Sequence, residues 1–214
     1  MKAFGRPALA ALVAAALWSA TLPAAAQEAK ALGEAQSFVL SLEHLAGYSY
    51  QHADPESDSE PLDTHQFGLF TPYLGPFGSP ARLGFHYFVA PPFSVGALAT
   101  YADNDRLGTL VLIGVRAGVA IPMSAATSLW VRAGICYSRT TLDFGDQTTT
   151  YSAVTPGGDV LLAIKPLAHF GFLVGGTFEN TIWAKEKFES DNGNREMNYS
   201  QREIALSLGA FLEL

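Results

Sequence analysis

From Ile204 to Leu214 the chain sets an apolar side chain at every even position, with mostly small or polar residues between them, up to its last residue. A strand with this period of two has one greasy face along its whole length. The alternation recurs in seven earlier segments. Together they predict strands at Ser37–Tyr50, Ala81–Ala90, Phe93–Ala102, Thr109–Ile121, Ser128–Thr140, Gly158–Lys165, His169–Ile182 and Asn198–Leu214. Three connections are short and carry proline, at Ala90-Pro91-Pro92, 122–127 and 165–168. They alternate with longer polar connections at 51–80, 103–108, 141–157 and 183–197. A further alternating segment, His65–Phe70, is expected to be a hairpin arm within the first long connection. An odd strand count would bring the C-terminal strand out on the wrong rim.

The two faces of these strands differ in kind. One gathers Phe38, Leu40, Phe85, Val95, Val115, Val131, Val160, Phe172 and Leu208, and among the strands only His44 interrupts it. The other carries Gly84, Gly96, Gly114, Gly118, Gly134, Gly171, Gly175 and Gly209, with Ser41, Ser94, Thr177, Ser207 and a few charges. A water-facing sheet avoids strand glycine, which costs roughly 0.5–1 kcal/mol per site relative to alanine. Glycine suits the interior of a narrow closed barrel, where large side chains do not fit on every strand. The greasy face therefore points to lipid. Tyr48, Tyr50, Tyr101 and Tyr137 lie at the strand ends beside the long connections, as an aromatic girdle requires. The expected fold is all-β: an eight-stranded antiparallel up-and-down transmembrane β-barrel. Closure follows because an open sheet edge in hydrocarbon leaves backbone groups without partners.

The N-terminus sets the compartment. Lys2 and Arg6, an alanine-rich run from Ala8 to Trp18 and the small residues Ala24-Ala25-Ala26 read as a cleaved signal peptide over 1–26. A short linker over 27–36 and the barrel over 37–214 complete the expected organisation. The whole chain has a formal charge of −7. Lys2 and Arg6 leave with the signal, so 11 of the 13 basic groups remain against all 20 acidic ones, a charge of −9. That balance argues against nucleic acid as a partner. Cys136 is the single cysteine and has no internal disulfide partner, so it is expected to pack as a small hydrophobe.

The signal peptide, the eight-strand pattern and segments such as Pro80–Val89, Val115–Pro122 and Leu129–Tyr137 resemble the small outer-membrane β-barrel proteins of Gram-negative bacteria, with their OmpA/OmpX-like architecture. The resemblance is one of pattern over nearly the whole mature chain, and it implies a fold and an outer-membrane location. Proteins similar in architecture include membrane anchors, adhesion or resistance proteins, narrow pores and a few lipid-modifying enzymes. The C-terminal strand is also similar to the signal read by the barrel-assembly machinery, although it finishes in Leu214 where that signal usually has an aromatic residue. Outer-membrane lipids and that machinery are the implied partners. An extracellular loop partner would be a further one.

The charges on the glycine-bearing face are the candidate site: Glu43, Arg82, Arg116, Arg132, Asp159, Glu179 and Glu203, with His86. Arginines opposite carboxylates in a narrow lumen are expected to form a bonded ionic network, since an unpaired buried charge is very costly. No histidines sit at metal-ligand spacing with a third ligand nearby, so no metal and no cofactor are expected. His44 is expected to mark a local bulge or an interface. Alternation separates it from Ser41 and Glu43, and neither a Gly-x-Ser-x-Gly elbow nor a His-Glu-x-x-His helix occurs. The acidic run Asp54, Glu56, Asp58, Glu60 and Asp63 reads as a solvated loop, and 185–196 as a hairpin above the membrane with Asn192-Gly193 at its tip. The reading is a non-enzymatic barrel with a packed, ion-paired lumen, acting structurally or through its loops. A narrow channel or carrier for small solutes and a lipid-modifying enzyme are the alternatives.

Overall fold

The computed structural model describes residues 31–55, 60–69, 80–104, 108–190 and 193–214. The signal peptide over 1–26 lies outside the described residues, as do Glu56 and Asp58 of the acidic loop. Among the described residues ten strands follow one another: β1 (Phe38–Pro55), β2 (Leu62–Leu69), β3 (Arg82–Ala90), β4 (Phe93–Asn104), β5 (Gly108–Ser124), β6 (Thr127–Asp143), β7 (Gln147–Ile164), β8 (Phe170–Asn180), β9 (Trp183–Ser190) and β10 (Gly193–Glu213). All pairings are antiparallel, and β1 closes on β10 from Val39↔Glu213 to Pro55↔Tyr199.

Eight strands make the wall, in the order β1, β3, β4, β5, β6, β7, β8, β10. The two extra strands extend it upward. β2 continues the line of β3 along β1, pairing Ala46–Ala53 above the Leu42↔Leu83 contact. β9 continues the line of β8 along β7, and Pro156 marks the change of partner between Val154↔Trp183 and Gly157↔Glu179. Proline has no N–H to give a ladder, so a break there loses little. The hairpin arm expected at 65–70 falls on β2, with Phe70 outside the described residues, and β9 with β10 forms the hairpin expected over 185–196, whose expected tip residue Asn192 also lies outside them.

The structure corrects several boundaries in one direction. β7 begins at Gln147, eleven residues before the expected Gly158, and the polar connections at 141–157 and 183–197 are mostly strand. Thr148, Thr149, Thr150, Ser152 and Thr155 offer no apolar alternation. Above the membrane both faces of a strand meet water or polar side chains, so the greasy period of two disappears while the ladder persists.

The outward face is apolar where the alternation placed it. Val115 is 61% exposed, and Phe85, Ile113, Val160, Phe178 and Leu208 are likewise uncovered by protein. Within a soluble chain such a belt would be an aggregation surface; around a closed barrel it is the lipid-facing band. Tyr48, Tyr101, Tyr137 and Trp183 stand exposed at its upper margin. The inner face holds the core.

Candidate functional site: a layered, ion-paired lumen

Inward-pointing residues stack in layers from the short-turn rim to the long-loop rim. The lowest layer is apolar. Trp130, Phe88, Phe211, Leu161 and Leu173 fill it, with Val39, Ala120 and Ala163 between them. Leu32, from the segment expected to be a linker, is 2% exposed and completes this plug from below. The segment is pinned by Gln36 N–H donating to Phe88 O and Phe88 N–H donating to Ser37 O. Beneath it Lys165 Nζ donates to Glu213 Oε2 at 2.5 Å, and Ser37 Oγ donates to Glu213 Oε1 at 3.1 Å.

Above the plug lies the ionic belt. Arg132 donates to Glu43 Oε1 at 2.5 Å and reaches Asp159 Oδ2 at 3.0 Å. Arg116 donates to Glu43 Oε2 at 2.6 Å and lies 3.3 Å from the same Asp159 oxygen. The remaining carboxylate capacity is used by hydroxyls, Ser41 Oγ on Glu43 Oε1 at 2.8 Å and Thr177 Oγ1 on Asp159 Oδ1 at 2.8 Å. Two guanidiniums and two carboxylates thus close on one another, all four nearly fully buried. The belt rests on the plug: the Arg132 guanidinium sits 4.6 Å from the centroid of Trp130.

Glycine makes room for these side chains. A Cβ at Gly84 would fall 2.3 Å from Ser41 Oγ and 2.6 Å from Glu43 Oε1, and one at Gly134 would fall 2.6 Å from Arg116 Cγ. No side chain fits at either place without displacing the belt.

Of the eight residues expected in the network, Glu43, Arg116, Arg132 and Asp159 come together. Arg82 forms a separate forked pair with Glu179 one layer higher, its Nη2 donating to Oε2 at 3.0 Å. Glu203 accepts from Gln51 Nε2 at 3.0 Å. His86 makes no ion pair among the described residues; its ring meets Trp130 edge-on at 4.7 Å, beside Ser94. His44 has φ 56° at a bulge, where the β1 ladder passes from Leu42↔Ala210 to Ala46↔Leu208. The bulge turns it from the outer phase into a small cavity shared with Glu43, Arg132 and Asp159. Sequence reasoning missed Gln51 and the aromatic plug. The plug was signalled, since Trp130, Phe88 and Phe211 lie on the inward phase of their strands.

Above Arg82 and Glu179 the lumen widens into a vestibule of about 50 Å³, walled by Leu112, Cys136, Ser138, Thr155, Thr181 and Glu203 among others. Tyr151 and Tyr199 meet edge-on over it at 6.2 Å. Burial, and then the Glu186 carboxylate that its hydroxyl donates to at 3.1 Å, push the Tyr151 hydroxyl pKa up, so it stays a neutral donor. Two cavities of about 10 Å³ each continue down to the belt and end at Leu161 and Leu173. Each has room for about one water.

Outside the barrel, His52 Nδ1 lies 2.7 Å from Asp63 Oδ1, which also accepts from Tyr50 OH at 2.9 Å. Within the described residues neither partner is bonded to a serine or cysteine. No group of three or more His, Cys, Asp or Glu among the described residues is placed to hold a metal ion.

No protein-family model and no curated protein matches the chain. Solved structures do. Outer membrane protein OprG from Pseudomonas aeruginosa matches with a TM-score of 0.50 at 12% identity, over 85% of this chain and 97% of that one. The fold is that of an outer-membrane β-barrel. The N-terminal β-barrel domain of Pseudomonas aeruginosa OprF matches with a TM-score of 0.49 at 10% identity, over 84% of this chain and 98% of that one. The outer membrane protease OmpT from Escherichia coli matches at 0.42 and 7% identity, over 84% and 97%. At such identities the likeness concerns architecture and carries no activity across.

Proposed function

We propose that this chain is a non-enzymatic protein of the Gram-negative outer membrane, a barrel with a closed, ion-paired lumen that acts structurally or through its extracellular hairpins. The observation that carries the reading is the uninterrupted filling of the lumen: the Glu43–Arg116–Arg132–Asp159 belt stands directly on the Trp130, Phe88 and Phe211 plug. A solute would have to part four mutually bonded charges and then cross an apolar, aromatic layer. Either barrier is costly, the first because separated charges are left unsolvated and the second because it strips a polar solute of water. The outward face supports outer-membrane lipids as the surrounding partner, and β10 is the strand the barrel-assembly machinery would read. A loop partner would meet the β1–β2 and β9–β10 hairpins.

Planar-bilayer recording tests this reading. The refolded protein is expected to give no stable conductance steps. Discrete openings in the wild type, altered by Arg116→Ala or Arg132→Ala, would replace it with the channel reading. Mass spectra of lipid A from cells with and without the protein are expected to be identical, and a difference would restore the enzyme alternative.

A further inference from the structure

The irregular stretch of β1 lies at the level of the ionic belt. Between Leu42↔Ala210 and Ala46↔Leu208, three residues of β1 (Glu43, His44 and Leu45) stand opposite the single Gly209 of β10. His44 takes φ 56° there, a left-handed backbone that side chains other than glycine rarely adopt. The break in alternation sends two consecutive side chains, Glu43 and His44, toward the lumen. Backbone that leaves its ladder at membrane depth finds no hydrogen-bond partner in hydrocarbon, so it persists only where protein or water meets it.

Two unsatisfied side-chain atoms coincide with that stretch. Arg132 is 2% exposed, and its two Nη groups are taken by Glu43 and Asp159, but among the described residues its Nε has no hydrogen-bond partner. His44 Nδ1 is buried and likewise has none. Both residues line the same cavity of about 10 Å³, whose other polar walls are Glu43, Asp159 and Ser207. The coincidence recurs one layer higher. Arg82, 1% exposed, has an unpartnered Nε and lines the second cavity of about 10 Å³, with Arg116, Thr155, Asp159 and Glu179. A buried N–H left without an acceptor is costly, and native interiors rarely keep one.

We propose that the His44 bulge is a water-binding site: one ordered water accepts from Arg132 Nε–H and bonds His44 Nδ1, and a second, in the upper cavity, accepts from Arg82 Nε–H. Charge selects the ligand. An anion at the bulge would face the Glu43 and Asp159 carboxylates, and a cation would face the Arg132 guanidinium, which leaves a neutral group. That group must accept from a guanidinium and suit either tautomer of the imidazole, and water both donates and accepts. A space of this size holds about one water, and buried waters typically make about three hydrogen bonds; Arg132 and His44 supply two, with the Ser207 hydroxyl on the same wall. The water does at the bulge what the ladder does elsewhere, and it lets Arg132 hold two carboxylates while its remaining Nε–H is satisfied. The site is independent of the closed-lumen reading: bilayer recording bears on closure, whereas the measurements below bear on hydration alone.

The test uses the protein refolded in detergent with nitrogen-15 arginine, whose Nε–H resonances are assigned by the peaks that Arg132→Lys and Arg82→Lys remove. In the wild type both resonances are expected to show direct cross-relaxation with water, of the sign given by a long-lived bound molecule. His44→Phe, which keeps a planar ring without ring nitrogens, is expected to weaken the Arg132 peak by about half or more while the Arg82 peak stays. The Arg82 peak in the same sample shows that the barrel has folded. A crystal structure that resolves ordered water reads the site without any variant, and one density peak within hydrogen-bond distance of both Arg132 Nε and His44 Nδ1 is expected. A wild-type Arg132 resonance with no water peak, an undiminished peak in His44→Phe, or a direct Arg132 Nε–His44 Nδ1 bond with no water between overturns the bulge site. A wild-type Arg82 resonance with no water peak overturns the upper one.

Discussion

The same kinds of ion pair occur in two regions of this molecule under opposite conditions. In the lumen, Arg132 and Glu43 have side chains 1% and 3% exposed, and besides each other Arg132 bonds Asp159 and Glu43 bonds Arg116 and Ser41. In the β9–β10 hairpin, Lys185 meets Glu196 with side chains 40% and 48% exposed. Water and salt screen the second pair, and its loss leaves two solvated ions. Loss of a partner in the belt leaves a charge with neither protein nor water around it. The comparison teaches that a pair's weight comes from what replaces it when it is gone. The belt is a constraint on the whole wall, tying β1, β5, β6 and β7 across the lumen, whereas the hairpin pairs decorate a ladder that already exists.

Four substitutions or conditions sharpen that contrast. Glu43→Ala is expected to have the largest effect, since Arg116 and Arg132 both lose their common partner; breaking a buried pair this way typically destabilises by about 3–5 kcal/mol, read from urea unfolding in detergent. Next comes Trp130→Phe, which keeps the ring in the plug but removes the Nε1 donation to Ser94 Oγ at 3.3 Å. A loss of about 1–2 kcal/mol is expected, from the hydrogen bond and the smaller ring.

Acid should act on the hairpin before the barrel. Hydrogen bonds from His52 and then Tyr50 hold the Asp63 carboxyl below its ordinary value. A depressed carboxyl stabilises above its unfolded pKa and loses that contribution as pH falls through the folded one. Amide exchange in β2 is therefore expected to quicken below about pH 4, while exchange in the lipid-level strands stays unchanged. Simultaneous quickening in both regions would remove the distinction between them. The smallest effect belongs to Lys185→Ala, for which no measurable shift of the unfolding midpoint is expected. A shift approaching that of Glu43→Ala would show that exposure is not what separates the two regions.

What could be seen in the sequence follows the same physical divide. Wherever one side of a strand meets lipid, the alternation is unmistakable, so Val111, Ile113 and Val115 or Leu206 and Leu208 announced both strand and face. The upper parts of β7 and β9 meet water and polar neighbours, so Thr148–Thr150 alternate nothing apolar and read as a connection, while Lys185–Lys187 show a hairpin only through the Asn-Gly signal that follows them. The charged members of the belt were legible because arginine and glutamate on a glycine-rich face have few reasons to be there. Who pairs with whom was not, since register and a two-residue bulge at His44 decide which layer each charge occupies. The plug stayed hidden for a different reason. Trp130 and Phe88 are apolar on either reading, and only their phase distinguishes a lumen filler from a lipid contact.

The central claim is that one face of every wall strand touches acyl chains while the other closes the lumen. Spin labels attached at Val115→Cys and Leu208→Cys, and at Lys187→Cys in the hairpin, all in a Cys136→Ser background, test it most directly in lipid vesicles. The first two are expected to relax strongly with oxygen and weakly with a water-soluble nickel chelate, and the third the reverse. Nickel-dominated relaxation at Val115 and Leu208 would place the greasy face in water and contradict the account.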